Sequence, residues 1–473
     1  MPDQSWTAFA TTGLSVGVAL LAAGHAVIYK RDPRSATLWV LLIALLPLGG
    51  PLLYLLFGVN RTQRRAQRWR GEPPIRPLAE PTAPADAPEA WRGVVRLVER
   101  ATALPLTAGN RVEPLAGGAQ AYPAMLEAIN RARHSVAFAT YIFDRDGIGE
   151  RFVDALTQAH RRGVRVRVLI DDVHVRLSRS SAYAPLARMG VPVASFNATV
   201  LPARLHAINL RNHRKILVVD GTLGFTGGMN VHRPYYRPEA PAQAYRDLHF
   251  RVEGPVVLHL RQTFARDWCD TTEEALDEEF WGERPSPLRG ATALARGIEA
   301  GPDETIDRLR WTFMGALAAA RTSVRIWTPY FVPDQALLAA LSTAALRGVA
   351  VEVLTPAAAD HAFVHWAARA HYWQVLEHGA RIFERPGPFD HTKLMLVDGQ
   401  WLCLGSANWD ARSLRLNFEF NVEVYDPRLC AALEDLFAVA RAESSEVDRQ
   451  ALAARPLSVK LRDGIARLFT PIL

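Results

Sequence analysis

Cysteine is scarce in this chain. Three cysteines are present among 473 residues, Cys269, Cys403 and Cys430, and their spacing matches no common set of metal ligands. This scarcity excludes a disulfide framework and a cysteine-based zinc site. The three residues fit either a reduced compartment or simple burial as small apolar side chains.

Charged residues are missing from two long stretches near the N-terminus. Gln4–Tyr29 and Ser35–Asn60 each contain 26 residues without Asp, Glu, Lys or Arg. Because about 20 apolar residues cross a bilayer core as a helix, residues 1–60 are predicted to form a two-helix transmembrane hairpin. A cleaved signal peptide is disfavoured, since Asp3 but no basic residue precedes the first stretch and a second span follows. Prolines and glycines at 47–51 favour a kinked or partly re-entrant second span.

Basic residues outnumber acidic ones, and their positions bear on partners and orientation. The net charge of +7 favours an anionic partner, either nucleic acid or acidic lipid. Three basic residues connect the two apolar stretches and five follow the second: Lys30, Arg31 and Arg34, then Arg61, Arg64, Arg65, Arg68 and Arg70. The larger cluster predicts that the downstream chain lies on the cytoplasmic side, and these arginines would also attract anionic lipid.

The rest of the chain alternates between helical and strand-like patterns in two similar halves. Helix, strand, helix and strand are predicted at 125–133, 135–143, 148–162 and 164–170, and again at 306–320, 323–331, 335–347 and 349–354. This order predicts a duplicated α/β unit with parallel sheets. The expected domains are a basic flank and proline-rich linker (61–110), a first lobe (111–270), a connector (271–302), a second lobe (303–450) and an amphipathic tail (451–473).

One motif occurs in both halves with identical spacing. The first copy has His213, Lys215 and Asp220 followed by Gly227, Gly228 and Asn230; the second has His391, Lys393 and Asp398 followed by Gly405, Ser406 and Asn408. The apolar runs 215–219 and 393–397 predict strands, on which alternation would place each histidine and lysine on one face. An imidazole beside an ammonium suits a phosphate, and chance is a poor explanation for two such copies.

The two motifs predict the parts of one displacement reaction. If the lobes pack about a pseudo-twofold axis, His213 and His391 face one cavity, where one attacks phosphorus and the other protonates the leaving alkoxide. Charge on the phosphoryl oxygens would be neutralised by Lys215, Lys393, Asn230, Asn408, Ser406 and the Gly228 backbone. Asp247 and Glu419 are the candidate carboxylates that orient the imidazoles. No metal and no cofactor is required.

Asp220 and Asp398 belong to the motif but admit a second interpretation. Both end a predicted strand at an Asp-Gly step, which is typical of a turn. We expect both to cap turns, with direct participation in catalysis as the alternative.

The C-terminal residues predict an amphipathic helix. Leu461, Ile465, Leu468 and Phe469 fall on one helical face, flanked by Lys460, Arg462 and Arg467. An interfacial helix at a membrane and an ordinary helix docked on its domain both fit this pattern.

The motif residues resemble the phospholipase D superfamily, whose signature is H-x-K-x4-D followed by G-[SG]-x-N, twice per active site. Within it the chain is similar to the bacterial cardiolipin synthase family over nearly its whole length. The similarity includes Tyr-Leu-Leu-Phe-Gly58, Asn209-Leu-Arg-Asn-His-Arg-Lys215, Phe225-Thr-Gly-Gly-Met-Asn230, Arg246-Asp-Leu-His, Thr328-Pro-Tyr-Phe-Val-Pro-Asp334 and Arg412-Ser-Leu-Arg-Leu-Asn-Phe-Glu419.

The resemblance implies duplicated phospholipase D-type lobes related by a pseudo-twofold, preceded by a two-helix hairpin in the bacterial inner membrane. It implies metal-independent transfer of a phosphatidyl group from one phosphatidylglycerol to another, giving cardiolipin and glycerol through a phosphohistidine. His213 is then the nucleophile and His391 the general acid and base. Anionic membrane lipid is the expected partner and nucleic acid is not; the oligomeric state is left open.

Two alternatives remain at the level of sequence. The first is an enzyme with the same motifs but another acceptor, either a membrane-bound hydrolase or a transphosphatidylase that uses a different alcohol. The second is a scaffold with inactive motifs, which is disfavoured because both His-Lys pairs are intact. After Asn230 the chain reads Val-His-Arg-Pro-Tyr-Tyr, where such synthases usually carry an acidic residue and a tyrosine. This departure leaves the acceptor open.

Overall fold

The computed structural model describes residues 3–30, 33–58, 88–198, 210–303 and 305–470. The arginines at 61–70, and nearly all of the predicted proline-rich linker before residue 88, lie outside the described residues, as does Arg31. The chain divides into two compact units, Met1–Arg65 and Ala66–Leu473.

The described part of the N-terminal unit contains three α-helices, α1 (Asp3–Tyr29), α2 (Pro33–Leu45) and α3 (Gly49–Leu53), and a π-helical turn at Tyr54–Gly58. Among the described residues, one helix is long and apolar enough to cross a membrane, over Thr12–Tyr29. The predicted second span is therefore divided: α2 has 13 residues and ends before Pro47. Proline lacks the backbone N–H that a continuous helix requires, which accounts for the break.

Helix α4 (Arg92–Thr102), which packs on the second lobe, precedes the first lobe, and the first lobe begins with strand β1 (Thr107–Ala116). Its helices are α5 (Gly117–Arg131), α6 (Ile148–Arg161), α7 (Asp172–Leu177), α8 (Tyr183–Arg188), α9 (Val257–Thr272) and α10 (Glu278–Trp281). Its further strands are β2 (Ser135–Thr140), β3 (Arg165–Asp171), β4 (Val193–Phe196), β5 (Arg211–Asn212), β6 (Ile216–Val219), β7 (Leu223–Gly227) and β8 (Leu248–Glu253).

The second lobe repeats this order. Its strands are β9 (Ala293–Ala300), β10 (Ser323–Trp327), β11 (Phe331–Val332), β12 (Ala350–Pro356), β13 (Arg381–Arg385), β14 (Leu394–Val397), β15 (Trp401–Gly405), β16 (Trp409–Asp410), β17 (Asn417–Tyr425) and β18 (Ser445–Glu446). Its helices are α11 (Arg308–Ala319), α12 (Gln335–Leu346), α13 (Ala362–Arg369), α14 (Tyr372–Leu376), α15 (Ala411–Arg415), α16 (Pro427–Ala442), α17 (Arg449–Ala453) and α18 (Leu457–Leu468).

Most of the described strands form one hydrogen-bonded ladder, the main sheet, whose order shows the duplication, whereas β11 and β16 form a separate two-stranded sheet and β5 pairs only with β17. The main sheet runs β18-β13-β12-β10-β14-β15-β17-β9-β1-β8-β7-β6-β2-β3-β4, with β1 and β9 antiparallel at the centre. Moving outward from that centre, equivalent strands of the two lobes occur in the same sequence. The order therefore has the pseudo-twofold arrangement that the repeated motif predicts.

Along the main sheet, the prediction of parallel strands is correct for three neighbouring strands in each lobe. β2, β3 and β4 are parallel, as are β10, β12 and β13. The motif strands β6 and β14 pair antiparallel with both neighbours. Short turns join β6 to β7 and β14 to β15, and a short turn permits only antiparallel pairing.

Two segments predicted as connections carry structure. The range 271–302 contains β9, whose residues are all buried at the centre of the ladder. The range 61–110 contains α4, which places Val94, Val95 and Val98 in the core of the second lobe. The Trp91 indole N–H, just before α4, donates to the Gln400 side-chain oxygen at 3.0 Å. Both segments are ordered because their apolar side chains pack against residues that are distant in the sequence. Local composition does not indicate such contacts.

Candidate active site

His213 lies between β5 and β6 and is held by the second lobe. β5 pairs in parallel with β17, and the His213 backbone N–H donates to the Phe418 carbonyl at 2.9 Å. The ring Nδ1 lies 3.0 and 3.1 Å from the two carboxylate oxygens of Glu419. Residues 213–215 are outside the strand, so the predicted strand alternation does not position this histidine. Pairing with the other lobe positions it instead.

His391 has the equivalent arrangement, with the lobes exchanged. Its backbone N–H donates to the Arg246 carbonyl at 2.7 Å, and its Nδ1 lies 3.0 Å from Asp247 Oδ2. Each histidine thus takes its backbone acceptor and its carboxylate partner from the opposite lobe. The same two contacts occur at both histidines, as expected for two lobes related by a pseudo-twofold axis.

Both histidines line one cavity of about 290 Å³. Asn230 and Asn408, the last residues of the two motifs, also line it. The remaining lining residues come from both lobes and are mainly aromatic or charged: Tyr141, Ile142, Arg211, His232, Tyr235, Tyr245, Tyr330, Asp360, His361, Val364, Phe389, Asp410, Arg412, Ser413 and Asn417. The structure therefore brings the two distant histidines together over a shared space.

The motif lysines are buried beside the histidines. Lys215 Nζ and Lys393 Nζ donate to the carbonyls of His213 and His391, each at 2.7 Å, and Lys393 Nζ is also 3.0 Å from His391 Nδ1. Burial lowers the pKa of Lys215 to about 7, although the nearby Glu419 raises it. Burial lowers the pKa of Lys393 to about 8 against the opposite effect of Asp247. Near neutral pH both lysines are close to the point at which they lose their charge.

The two histidine–carboxylate pairs differ electrostatically. Burial lowers the pKa of His213 to about 4 and lowers that of His391 well below its ordinary value. Burial alone would raise the pKa of Glu419, but His213, Lys215 and a hydrogen bond from Ser406 outweigh it and the net shift is downward. Burial raises the pKa of Asp247 well above its ordinary value despite the charge of Lys393. The carboxylate beside His213 therefore releases its proton more readily than usual, whereas the carboxylate beside His391 holds its proton more readily than usual.

Ser406 and Gly228 occupy equivalent motif positions and explain part of this difference. The Ser406 hydroxyl donates to Glu419 Oε2 at 2.5 Å. At Gly228 an added Cβ would lie 2.5 Å from both carboxylate oxygens of Asp247, so only glycine leaves room for that side chain. The Ser406 and Gly228 backbone N–H groups donate to Phe420 and Leu248 carbonyls. Both residues thus support the two carboxylates, and their contact with phosphate stays a prediction.

Asp220 and Asp398 lie at the far ends of the motif strands. Asp220 accepts hydrogen bonds from the backbone N–H groups of residues 133–135, and Asp398 accepts from those of residues 321–323. Both adopt a left-handed conformation, with φ of 49° and 54°. Five residues of extended chain separate Lys215 from Asp220, about 16 Å. This geometry matches the turn-capping role and keeps both carboxylates away from the histidines.

Sequence reasoning missed several tyrosines of the site. The Tyr235 hydroxyl lies 2.9 Å from His391 Nδ1, and the Tyr141 ring lies 5.3 Å from the His213 ring. Tyr330 donates a hydrogen bond to Asp360, and both residues line the cavity. Tyr141 and Tyr330 occupy matching positions in the two repeats, a signal that was present in the sequence. Tyr235 has no such repeat partner and is recognised only from its contact.

A cluster of possible metal ligands includes His232, which lines the cavity. Among the described residues, Asp144, Asp146 and His232 form one group whose ligand atoms lie within 4.8 Å of one another. His232 Nδ1 is 2.7 Å from Asp144 Oδ2, and the Ser178 hydroxyl donates to Asp144 Oδ1 at 2.8 Å. Asp144 is already satisfied by protein donors, which fits a hydrogen-bonded support for His232.

Comparisons with known proteins agree with this geometry. The family model described as "Cardiolipin synthase, PLD-like domain" matches residues 125–268 and 313–440, and the model "Phospholipase_D-nuclease N-terminal" matches residues 17–58. The chain is 31% identical to a cardiolipin synthase of Oceanobacillus iheyensis, with 94% of this chain and 95% of that protein covered. It is 30% identical to one of Listeria monocytogenes, with the same coverage.

The fold also has a counterpart among solved structures. A phosphatidylserine synthase of Haemophilus influenzae superposes with a TM-score of 0.62 at 15% sequence identity. The superposition covers 80% of this chain and all of that one. At this level of identity the likeness concerns the fold alone.

Proposed function

Because the chain belongs to the cardiolipin synthase family of phospholipase D-like proteins, we propose that it transfers a phosphatidyl group from one phosphatidylglycerol to another, forming cardiolipin and glycerol. One observation carries the mechanism: His213 and His391 line the same cavity, each with a carboxylate from the opposite lobe at its Nδ1. This arrangement leaves Nε2 of each ring available to a substrate phosphorus between them.

In the first step, His213 acts as the nucleophile. Its pKa of about 4 keeps the ring neutral at physiological pH, and the anionic Glu419 requires the proton on Nδ1, so Nε2 carries the lone pair. Nε2 attacks phosphorus, the bond to glycerol breaks, and the glycerol oxygen takes a proton from His391. The products are free glycerol and a phosphatidyl group bonded to His213.

In the second step, His391 acts as the base. It removes the proton from the primary hydroxyl of a second phosphatidylglycerol, whose oxygen attacks phosphorus and displaces His213 Nε2. Cardiolipin leaves, and both histidines return to their starting states. The proton-bearing surroundings of His391, with Tyr235 and Lys393 each at about 3 Å from Nδ1, suit a residue that gives and takes a proton.

The phosphoryl charge also adjusts the protonation of the site. An anionic phosphate among His391, Lys215 and Lys393 raises the pKa of all three, opposing the effect of burial. His391 thereby becomes a proton donor only when a substrate is bound. Asn230 and Asn408 add uncharged donors at the cavity wall, where transition-state charge develops.

We further propose that residues 1–60 anchor the chain as a two-pass hairpin, with the lobes on the cytoplasmic side of the inner membrane. The apolar helix over Thr12–Tyr29 supports one span. The uncharged stretch Ser35–Asn60 supports a shorter, broken second span that returns the chain to the same side. Phosphatidylglycerol and anionic membrane lipid are the proposed partners.

The test uses the purified full chain with phosphatidylglycerol that carries a radiolabel in its headgroup glycerol. Equal amounts of cardiolipin and labelled glycerol are expected. His213→Ala and His391→Ala should each abolish turnover, and the double variant should be no worse, because the pair acts as one unit. His160→Ala, on the far end of α6, is the matched control and should retain wild-type turnover.

Three outcomes would contradict the proposal. Phosphatidic acid as the main product would assign water as the acceptor. Turnover that requires a second alcohol added to the assay would assign a transphosphatidylase. Full activity of His213→Ala would remove the proposed nucleophile.

A further inference from the structure

The C-terminal helix α18 docks on the second lobe through an unusual face. Its fully buried positions are Asp463 and Ala466, a carboxylate and the smallest apolar side chain that a helix offers. Asp463 accepts hydrogen bonds from Arg455 at 2.5 Å and from Arg462 at 2.8 Å. The Arg462 guanidinium also lies 4.5 Å from the Trp366 ring of α13. Polar and small side chains, rather than the apolar stripe, therefore hold α18 in place.

The apolar stripe of α18 faces away from the protein. Leu457, Leu461, Ile465 and Leu468 are 80%, 62%, 48% and 73% exposed. Their spacing of four, four and three residues places them along one side of the helix. An ordinary docked helix buries its apolar side, because each leucine removed from water contributes about 2 kcal/mol. The reversed orientation favours the interfacial alternative that the sequence left open.

Helix α13 connects α18 to the active-site cavity. It packs against α18, and its residue Val364, with His361 just before it, lines the cavity. On the same helix the Phe363 ring lies 5.5 Å from the Phe469 ring at the end of α18. Helix α13 therefore contacts α18 and also contributes to the wall of the active-site cavity.

The charge around the stripe is strongly basic. Residues 449–470 contain five basic residues and one acidic residue, and that acidic residue is the buried Asp463. A second cavity, of about 440 Å³, lies between α14, α17 and α18, and its charged lining has four basic residues against two carboxylates: Arg449, Arg455, Lys460 and Arg467 against Glu377 and Asp463. Trp373 also lines it. An apolar stripe with a basic flank and an amphipathic aromatic residue fits the interface of an anionic bilayer.

We propose that α18 is an interfacial anchor that inserts its leucine stripe into an anionic phospholipid bilayer and holds the adjacent cavity mouth at the depth of the lipid phosphodiester. The identity of that phosphodiester rests on the proposed function, whereas the bilayer contact does not. The anchor explains how a globular lobe reaches a headgroup without extracting the lipid. A second copy of the chain is the competing occupant of the stripe.

The contact is tested on the full chain reconstituted into vesicles. Leu461→Cys in a Cys269→Ser, His213→Ala background carries an environment-sensitive fluorophore, so that turnover does not alter the lipid during the measurement. The vesicles are phosphatidylcholine with or without phosphatidylglycerol, and part of the lipid bears a nitroxide quencher. Leu177→Cys, on the first lobe at 80% exposure, is the matched control.

Quenching at position 461 that increases with phosphatidylglycerol, together with a blue shift and no such change at position 177, is the expected result. Equal behaviour of the two positions would overturn the proposal. Fluorophore self-quenching at position 461 that depends on protein concentration in detergent would overturn it in favour of a second copy. These readouts need no catalysis, so a failure of the proposed function leaves them interpretable.

A turnover measurement complements the fluorescence. Leu461→Glu should lower turnover on phosphatidylglycerol vesicles by about tenfold, because a carboxylate opposes insertion into an anionic interface. Turnover of a water-soluble short-chain phosphatidylglycerol should stay at the wild-type level, as should both activities of Leu177→Glu. Equal losses on the two substrates would show damage to the site itself and would overturn the anchoring role.

Discussion

Replacing Glu419 by glutamine isolates the contribution of one charge to the reaction. The Glu419 carboxylate is buried and accepts from His213 Nδ1, from the Ser406 hydroxyl and from the Asn417 amide at 3.2 Å. Glutamine has the same shape and still offers one oxygen to the ring. The Glu419→Gln variant therefore keeps the geometry of His213 and removes the negative charge.

The size of the effect follows from what that charge stabilises. A hydrogen bond to a charged group contributes about 1.5–3 kcal/mol, against about 1 kcal/mol for a neutral one. The ring of His213 gains positive charge as it bonds to phosphorus, so the upper end of that range applies to the transition state. Because glutamine keeps a neutral hydrogen bond of about 1 kcal/mol, the net loss is about 2 kcal/mol, which corresponds to roughly a 30-fold lower rate of phosphohistidine formation.

A second consequence concerns pH. Glu419 raises the pKa of Lys215, which burial lowers to about 7. Without that carboxylate the lysine pKa falls further, so the ammonium is lost at lower pH. The alkaline limb of kcat/KM should therefore move to lower pH in the variant, in addition to the loss in rate.

The assay is rapid mixing with radiolabelled phosphatidylglycerol, an alkaline quench that preserves phosphohistidine, and separation of protein from lipid. Glu446→Gln, which removes an exposed carboxylate paired with Arg381, is the matched control and should behave as wild type. The reasoning would be refuted if Glu419→Gln formed the intermediate within about threefold of the wild-type rate, since no lost charge-assisted bond would then be visible.

Three further predictions follow from the same geometry. The kcat/KM of the wild-type chain should fall as pH rises through about 7, where Lys215 loses its proton, and the Lys215→Arg profile should fall only from about pH 8, where Lys393 loses its proton. Tyr235→Phe, which removes the hydroxyl beside the second motif histidine, should lower kcat by about tenfold with an unchanged melting temperature by circular dichroism. Gly228→Ala should lower cardiolipin formation by more than about tenfold because its Cβ displaces the Asp247 carboxylate, whereas Gly93→Ala, in open space, should match wild type in the same assay.

The sequence predicted the strands and helices of each repeat closely. The predicted helix at 148–162 is observed at 148–161, and the predicted helix at 335–347 is observed at 335–346. Local periodicity and glycine stops determine such elements. Whether neighbouring strands run parallel or antiparallel was predicted less well. The connection between two strands, a short turn or a long crossover, determines their relative direction, and the residues of the strand do not indicate which connection follows.

Membrane and connecting segments were predicted less well. The uncharged stretch Ser35–Asn60 met the length for a span, yet the helix stops before Pro47. The range 271–302 reads as a connector by composition, yet β9 within it joins the two halves of the ladder. The end of the helix depends on a single residue that lacks a backbone N–H, and the formation of the strand depends on packing partners distant in the sequence. Average composition indicates neither.

The sequence by itself determined the chemistry of this protein: two histidine–lysine pairs at equal spacing, two candidate carboxylates and two long uncharged stretches near the N-terminus. Only the tertiary structure decided which carboxylate serves which histidine. Asp247 follows His213 in the chain but contacts His391, and Glu419 follows His391 but contacts His213. The reason is the pseudo-twofold packing, in which each histidine loop pairs with a strand end of the other lobe. A hydrogen bond between residues 206 positions apart depends on that packing and leaves no periodic signal in the sequence.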